Sequence, residues 1–165
     1  MIDMPGSTTP QFWILSLLLL PWGAAVAAPP SHCSPSEQVI YSCKLKNSAK
    51  IVSLCASKRL SDRAGYLQYR FGRPGRIELE FPTERLDSQK RFEYAHYFRF
   101  QYDLTELRFA SGDHQYALYD YYNGEEQPAQ STTGVRVGEI SLACDGPPGI
   151  NRLSTLEKVV PAGSI

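Results

Sequence analysis

Hydrophobic and polar residues alternate along much of the chain, most clearly between Phe92 and Tyr122. A period of two with many aromatic residues predicts half-buried β-strands rather than helices. The first strand is expected to place every second residue on one face, namely Phe92, Tyr94, His96, Phe98, Phe100 and Tyr102. Tight turns at Asp103-Leu104 and at residues 111–114 would then divide the stretch into three strands.

The sequence Ser-Gly-Asp-His at residues 111–114 is typical of a hairpin tip. Glycine adopts positive φ at little cost, and Ser and Asp side chains bond their own backbone. If Ser111 pairs with Gln115 across this turn, Phe109 lies opposite Ala117 on the inner face. That register directs Tyr116 outward, beside the tip.

Alternation predicts further strands at residues 38–45, 51–57, on both sides of residues 73–75, at 134–137 and at 139–144. A three-residue loop at 73–75 pairs Phe71 with Ile77 in the core and Arg70 with Glu78 outside. About eight short strands without a long helix indicate an all-β fold. We expect a single antiparallel β-barrel or β-sandwich.

The N-terminus has the pattern of a secretory signal peptide over residues 1–27, whether translation starts at Met1 or Met4. The apolar run at residues 12–20 is too short to span a bilayer, so no stable membrane span is expected after cleavage. Beyond it we predict a flexible lead-in at 28–37, the β domain at 38–149 and a loose tail at 150–165.

Four cysteines behind a signal peptide indicate two structural disulfides formed in an oxidising compartment. If the hairpin of residues 38–57 closes tightly, Cys43 lies opposite Cys55, at a separation that suits a cross-strand bond. Cys33 and Cys144 would then join the two ends of the mature domain.

Charge and motifs exclude several functions. After removal of residues 1–27, 17 basic residues face 16 acidic ones, which argues against nucleic-acid or membrane binding. Standard hydrolase, nucleotide-binding and zinc motifs do not occur in the sequence. His96 is expected on the apolar face of a strand and His114 at a turn, so neither suggests a metal ligand. We therefore predict a protein that is not an enzyme and has no cofactor, no metal and no catalytic residues.

Two regions suit recognition of another protein. The first is the tip, with Ser111, Gly112, Asp113 and His114 next to Tyr116. The second is the acidic, tyrosine-rich stretch that contains Tyr121 and Tyr122. Tyrosine is a favoured anchor at interfaces because it combines a large area with few rotamers and a polar tip.

These features together resemble the small periplasmic lysozyme inhibitors of Gram-negative bacteria, above all those directed at invertebrate-type lysozymes. The shared features are the signal peptide, the early Tyr41-x-Cys43 strand, the disulfide-bonded β domain and the Ser-Gly turn followed by Tyr. The resemblance implies a periplasmic protein whose Ser111 and Tyr116 enter a lysozyme cleft and bind its catalytic carboxylates. Gly112 would permit the turn.

Two other functions remain open from the sequence. A periplasmic immunity protein against a secreted toxin would use the same scaffold on a different partner. A small-ligand-binding β-barrel would need a roomy apolar interior, which the many Phe and Tyr side chains would instead fill.

Overall fold

The computed structural model describes Met1 and residues 29–165, so the signal-peptide prediction lies almost wholly outside the described residues. One sheet contains β1 (Glu37–Lys44), β2 (Ile51–Ser57), β3 (Leu67–Arg73), β4 (Arg76–Phe81) and β10 (Ile150–Asn151). The other contains β5 (Glu93–Arg99), β6 (Tyr102–Ser111), β7 (His114–Asn123), β8 (Gln130–Val137) and β9 (Ile140–Ala143). Two short 3₁₀ helices cover Ser88–Arg91 and Leu153–Leu156.

The two sheets form a sandwich. Their strand orders are β10-β1-β2-β3-β4 and β5-β6-β7-β8-β9, and all strand pairs are antiparallel. The prediction of an all-β, disulfide-stabilised domain is confirmed. Because the sheets do not close on each other, the sandwich is the correct one of the two predicted architectures.

Aromatic rings fill the space between the sheets. The rings of Phe109 and Tyr116 stack at 4.9 Å, and Phe81 stacks on the other side of Phe109 at 4.6 Å. Tyr69 and Phe92 contact the same Phe109 ring at 4.9 and 5.4 Å. A packed interior of this kind gives no support to the ligand-binding barrel.

Two predicted turns are displaced. The β5–β6 turn lies at Phe100-Gln101, where Arg99 pairs with Tyr102, and not at Asp103-Leu104. A bulge at Phe71/Gly72 shifts the β3–β4 hairpin, so Phe71 pairs with Leu79 instead of Ile77. Bulges insert a residue into one strand and change the register in a way that alternation alone does not reveal.

The predicted flexible lead-in is packed across the outer face of the first sheet. The His32 backbone N–H donates to Ser53 Oγ at 3.0 Å, and its ring Nε2 lies 3.1 Å from the Gly72 carbonyl oxygen. Ser42 Oγ donates to the Pro30 carbonyl oxygen at 2.7 Å. These bonds satisfy polar groups on both sides, so the segment is part of the fold.

A buried ion pair holds the end of this segment. The Arg70 guanidinium, 4% exposed, donates two hydrogen bonds to the Glu37 carboxylate, at 2.7 and 2.9 Å. Its Nε donates to Glu80 at 2.7 Å, so the predicted partner Glu78 is wrong by two residues. Burial raises the pKa of Glu37, but the bonds from Arg70, the Ser34 backbone and Tyr66 outweigh it and lower that pKa to about 2.

The C-terminal residues are not a loose tail. Asn151 pairs with Tyr41, which adds β10 to the edge of the first sheet. Leu153, Leu156 and Val160 are buried in the common core. Ala162 forms a parallel bridge with Tyr94, which covers the edge of β5. Periodicity missed this segment because its contacts with the sheets are tertiary and its strand is only two residues long.

All four cysteines form disulfides, as predicted, but in the other pairing: Cys33–Cys55 and Cys43–Cys144. Cys43 pairs with Val52 and faces the core, whereas Cys55 lies on the opposite face of β2 beneath the lead-in. Cys43 and Cys55 point to opposite faces of the sheet and cannot form a disulfide. Cys43 instead bonds Cys144, which follows β9. Two such bonds indicate a protein of an oxidising compartment.

No helix within residues 29–165 is long and apolar enough to cross a membrane.

We expect the two disulfides to differ in their contribution to stability. Replacing Cys43 and Cys144 by Ala opens a loop of 101 residues and is expected to cost about 4–5 kcal/mol. Replacing Cys33 and Cys55 opens only 22 residues and should cost about 3–3.5 kcal/mol. Urea unfolding of both double variants shows which disulfide contributes more to the free energy of unfolding. Peptide mapping of the unreduced wild type must first recover these two cysteine pairs.

The Glu37 pKa predicts an acid-labile lead-in. A carboxylate whose pKa is lower in the folded state stabilises the fold above its unfolded pKa of about 4.5, and this contribution is lost as the pH falls towards 2. The loss should amount to about 3 kcal/mol. Glu37→Gln should flatten the dependence of the urea midpoint on pH over that range. It should also be less stable at pH 7, because the buried Arg70 then keeps only Glu80 as a charged partner. An unchanged curve would contradict the assignment.

Candidate functional site

The predicted hairpin tip is at the surface. A two-residue turn, Gly112-Asp113, joins β6 to β7, and Ser111 pairs with His114 as the last row of the ladder. Gly112 has φ of 58°, in the left-handed region that glycine enters without strain. Gly112, Asp113 and His114 are exposed, and Ser111 is half-buried.

The tip extends past the strands on either side. The last ladder pair between β5 and β6 joins Glu93 to Arg108, and the last between β7 and β8 joins Tyr116 to Val137. Nearer the tip, the Gly138 N–H still donates to the Gln115 carbonyl oxygen at 2.9 Å, and the Ser111–His114 row has no ladder partner outside the hairpin within the described chain. The result is a narrow projection on the two central strands of the sheet.

The prediction for Tyr116 is wrong. Ser111 pairs with His114 and not with Gln115, so Phe109 pairs with Tyr116. Side chains alternate with a period of two, and a shift of one residue in β7 therefore moves Tyr116 from the outer to the inner face. There its ring stacks on Phe109, nearly parallel at 4°. Tyr116 stabilises the core and is not available beside Ser111.

Tyr121 and Tyr122 lie at the far end of β7 from the tip. Eight residues of extended chain separate His114 from Tyr122, which corresponds to roughly 25 Å. Tyr122 is on the inner face and 44% exposed. Tyr121 is on the outer face, where its ring lies 5.5 Å from that of Tyr102. The structure thus separates the two predicted recognition regions instead of bringing them together.

Sequence reasoning named Tyr122 as a recognition residue but missed the exposed aromatic residues near it. Four aromatic side chains at the far end of the second sheet are largely exposed: Tyr97 (45%), Phe98 (69%), Phe100 (82%) and Tyr122 (44%). We call these four residues the aromatic end. The pattern placed Phe98 on the same face as the buried Tyr94, which is correct, but could not show that the first sheet leaves this part of the face uncovered.

A cleft of about 450 Å³ lies on the uncovered inner face, between the strand ends and the Leu153–Leu156 helix. Phe98, Asp103 and Tyr122 form one row across β5, β6 and β7, and His96, Thr105 and Asp120 form the next. His96 Nε2 lies 2.9 Å from Asp103 Oδ1. His96, expected on an apolar face, instead lines this polar cleft.

Asp120 has a perturbed pKa in this cleft. Burial raises the pKa of the carboxyl, and the nearby Asp103 charge raises it further. The Asn151 amide donates to Asp120 Oδ2 at 2.6 Å and acts in the opposite direction. Two carboxylates that repel each other favour a positively charged neighbour.

Within residues 29–165, no group of three or more His, Cys, Asp and Glu side chains is arranged to hold a metal ion. The four cysteines are oxidised in disulfides and supply no thiolate.

Comparison with known proteins gave no match: no family model, no curated protein and no solved structure matches the chain.

The register of β6 and β7 predicts the effect of replacing its tyrosines. Tyr116→Ala should cost roughly 3 kcal/mol of unfolding free energy, because it leaves a cavity beside Phe109 and Tyr69. Tyr122→Ala, on the same strand but at the exposed end, should change stability by less than about 0.5 kcal/mol. Urea unfolding compares the two; equal effects would contradict the inward position of Tyr116. Tyr116→Phe keeps the ring and serves as the matched control.

Proposed function

We propose that this protein acts in the periplasm, has no catalytic activity of its own, and binds and inhibits a lysozyme-like cell-wall hydrolase. The hairpin tip at residues 111–114 would enter the active-site cleft of the hydrolase. The observation that carries the proposal is the exposed two-residue turn that joins β6 and β7, the central strands of the second sheet. The resemblance to lysozyme inhibitors supplies the class of partner.

Rigidity supports this use of the tip. β6 and β7 are each ten residues long, pair with each other over their whole length, and are flanked by β5 and β8. The Phe109–Tyr116 stack lies directly beneath the last rows. A preorganised tip loses little conformational entropy on binding, which preserves affinity.

The chemistry of the tip is that of a hydrogen-bond donor. Glycosidases of the lysozyme type act through two carboxyl groups on either side of the scissile bond. The Ser111 hydroxyl and the His114 imidazole lie side by side in the last row of the hairpin and can donate to carboxylates. His114 therefore replaces Tyr116 as the partner of Ser111 in this proposal.

The charge of Asp113 tests whether the tip faces the catalytic carboxylates of the hydrolase. Its carboxylate is exposed at the turn and has the same sign of charge as the proposed catalytic groups. Like charges across an interface are unfavourable, so Asp113 must remain at the rim of the cleft.

The proposed compartment is the periplasm. The two disulfides support an oxidising compartment, and the periplasm is the one in which bacterial lysozyme inhibitors would meet incoming hydrolases.

The test is a lysis assay with purified protein against animal lysozymes of the three types. Wild type should inhibit at least one, most strongly the invertebrate type. The double variant Ser111→Ala/His114→Ala should lose at least tenfold in inhibition, while Asp113→Asn should inhibit more strongly because a repulsive charge is removed. Inhibition unchanged by the double variant would refute the tip as the inhibitory site.

Ser131→Ala, exposed on β8 in the row of Tyr122 at the far end of the sheet from the tip, is the matched control for this assay. It removes a hydroxyl from a neighbouring strand without touching the tip. The circular dichroism spectrum and the urea midpoint of each variant should match wild type, so that loss of inhibition reports on contact and not on folding.

A further inference from the structure

The aromatic end is an apolar surface that the fold leaves uncovered. Phe98 of β5 and Tyr122 of β7 lie on the inner face of the second sheet and line the cleft, Phe100 lies in the β5–β6 turn, and Tyr97 lies on the outer face of β5. More than two-thirds of Phe98 and Phe100 is exposed. Clustered exposed aromatic residues on a folded domain mark interaction sites. The proposed inhibitory tip is at the other end of the same sheet, so this surface is separate from it.

Charge decides what kind of partner fits. Residues 96–105 and 118–127 contain four carboxylates, Asp103, Asp120, Glu125 and Glu126, and one guanidinium, Arg99. Arg99 donates two hydrogen bonds to Glu125, so its charge is already compensated. No Lys or Arg within residues 29–165 forms an ion pair with Asp103 or Asp120. The surface is aromatic and acidic at once.

The protein itself shows how such a surface binds a cation. The Arg99 guanidinium lies 4.7 Å over the Tyr102 ring while it bonds Glu125. Lys50 Nζ lies 4.8 Å over the Phe71 ring and 2.7 Å from Glu78. In both cases a cation is held between an aromatic face and a carboxylate, the combination in which cation–π attraction and ion pairing act together.

The row Phe98–Asp103–Tyr122 repeats this combination without a Lys or Arg from the described chain, although the His96 ring contacts Asp103 Oδ1 at 2.9 Å. Asp103 lies between the two aromatic residues on the inner face, because each pairs with it directly across the sheet. Neighbouring strands are about 4.8 Å apart, so one Lys or Arg side chain could contact both rings and the carboxylate. Asp120 in the next row adds a second acceptor at the bottom of the cleft.

We propose that the aromatic end, with Asp103 and Asp120, is a docking surface for a cationic polypeptide segment. One Lys or Arg side chain of the partner enters the cleft between Phe98 and Tyr122, and a further basic residue faces Glu126. The partner is a polypeptide because the exposed rings of Phe98, Phe100 and Tyr122 offer apolar contact over a wider area than a single cation needs.

The probes for the test are fluorescein-labelled octa-arginine and octalysine, with octaglutamate as the charge control. Fluorescence anisotropy with the oxidised, purified protein should show binding of both basic peptides and not of octaglutamate. Affinity should fall several-fold between 50 and 300 mM NaCl, because charges at the surface are screened. Octa-arginine should bind more tightly, since guanidinium stacks on aromatic rings better than ammonium does.

Three variants locate the site. Phe98→Ala/Tyr122→Ala and, separately, Asp103→Asn should each weaken octa-arginine binding at least fivefold, whereas Tyr122→Phe should retain it. Leu86→Ala, another highly exposed apolar residue, is the matched control and should bind as wild type does. The tip variant Ser111→Ala/His114→Ala should also bind normally, which separates this proposal from the inhibitory one.

The proposal is overturned if neither basic peptide binds, or if the aromatic-end and Asp103 variants bind as tightly as wild type. Equal binding of octaglutamate would likewise overturn it, because the surface would then lack charge preference. Unchanged urea midpoints for the variants ensure that a loss of binding comes from the surface, since none of the replaced side chains is in the core.

Discussion

The pairing of Ser111 with His114 is the constraint on which both proposed binding surfaces depend. A two-residue turn sets the register of β6 against β7, and with it the face of every side chain on the two central strands. In this register Phe109 and Tyr116 meet in the core, while Asp103 and Tyr122 share the inner face at the other end. A shift of one residue would exchange the buried and exposed sets, so one turn determines both the core and the two exposed ends.

Packing of the first sheet depends on groups from both ends of the chain. The lead-in covers its outer face and is held by the Cys33–Cys55 disulfide and the Arg70–Glu37 pair. Residues 150–160 complete its edge and add Leu153, Leu156 and Val160 to the core. The Cys43–Cys144 bond joins β1 to the end of the second sheet. A small core with many connections of this kind suits a protein that must remain folded outside the cytoplasm.

Unequal coverage of the second sheet explains where recognition can occur. Its middle rows are buried under the first sheet, with Leu107 and Leu118 fully inaccessible. Its ends are not covered: one carries the narrow tip and the other the aromatic end with its acidic cleft. Because both ends belong to the same rigid strands, each surface is preorganised by the same core, and the two can act independently about 25 Å apart.

The local sequence was sufficient to predict most strands, because the backbone of a strand directs successive side chains to opposite faces and the hydrophobic residues alternate accordingly. It also located the Ser-Gly turn and indicated two disulfides from an even cysteine count. It failed for Tyr116, for the β3–β4 register and for the cysteine partners, since each depends on a register shift of one to three residues that the alternation within each strand does not reveal. Exposure of Phe98 and burial of Leu156 were decided only by the tertiary structure, because burial depends on which part of one sheet the other sheet and the C-terminal residues cover.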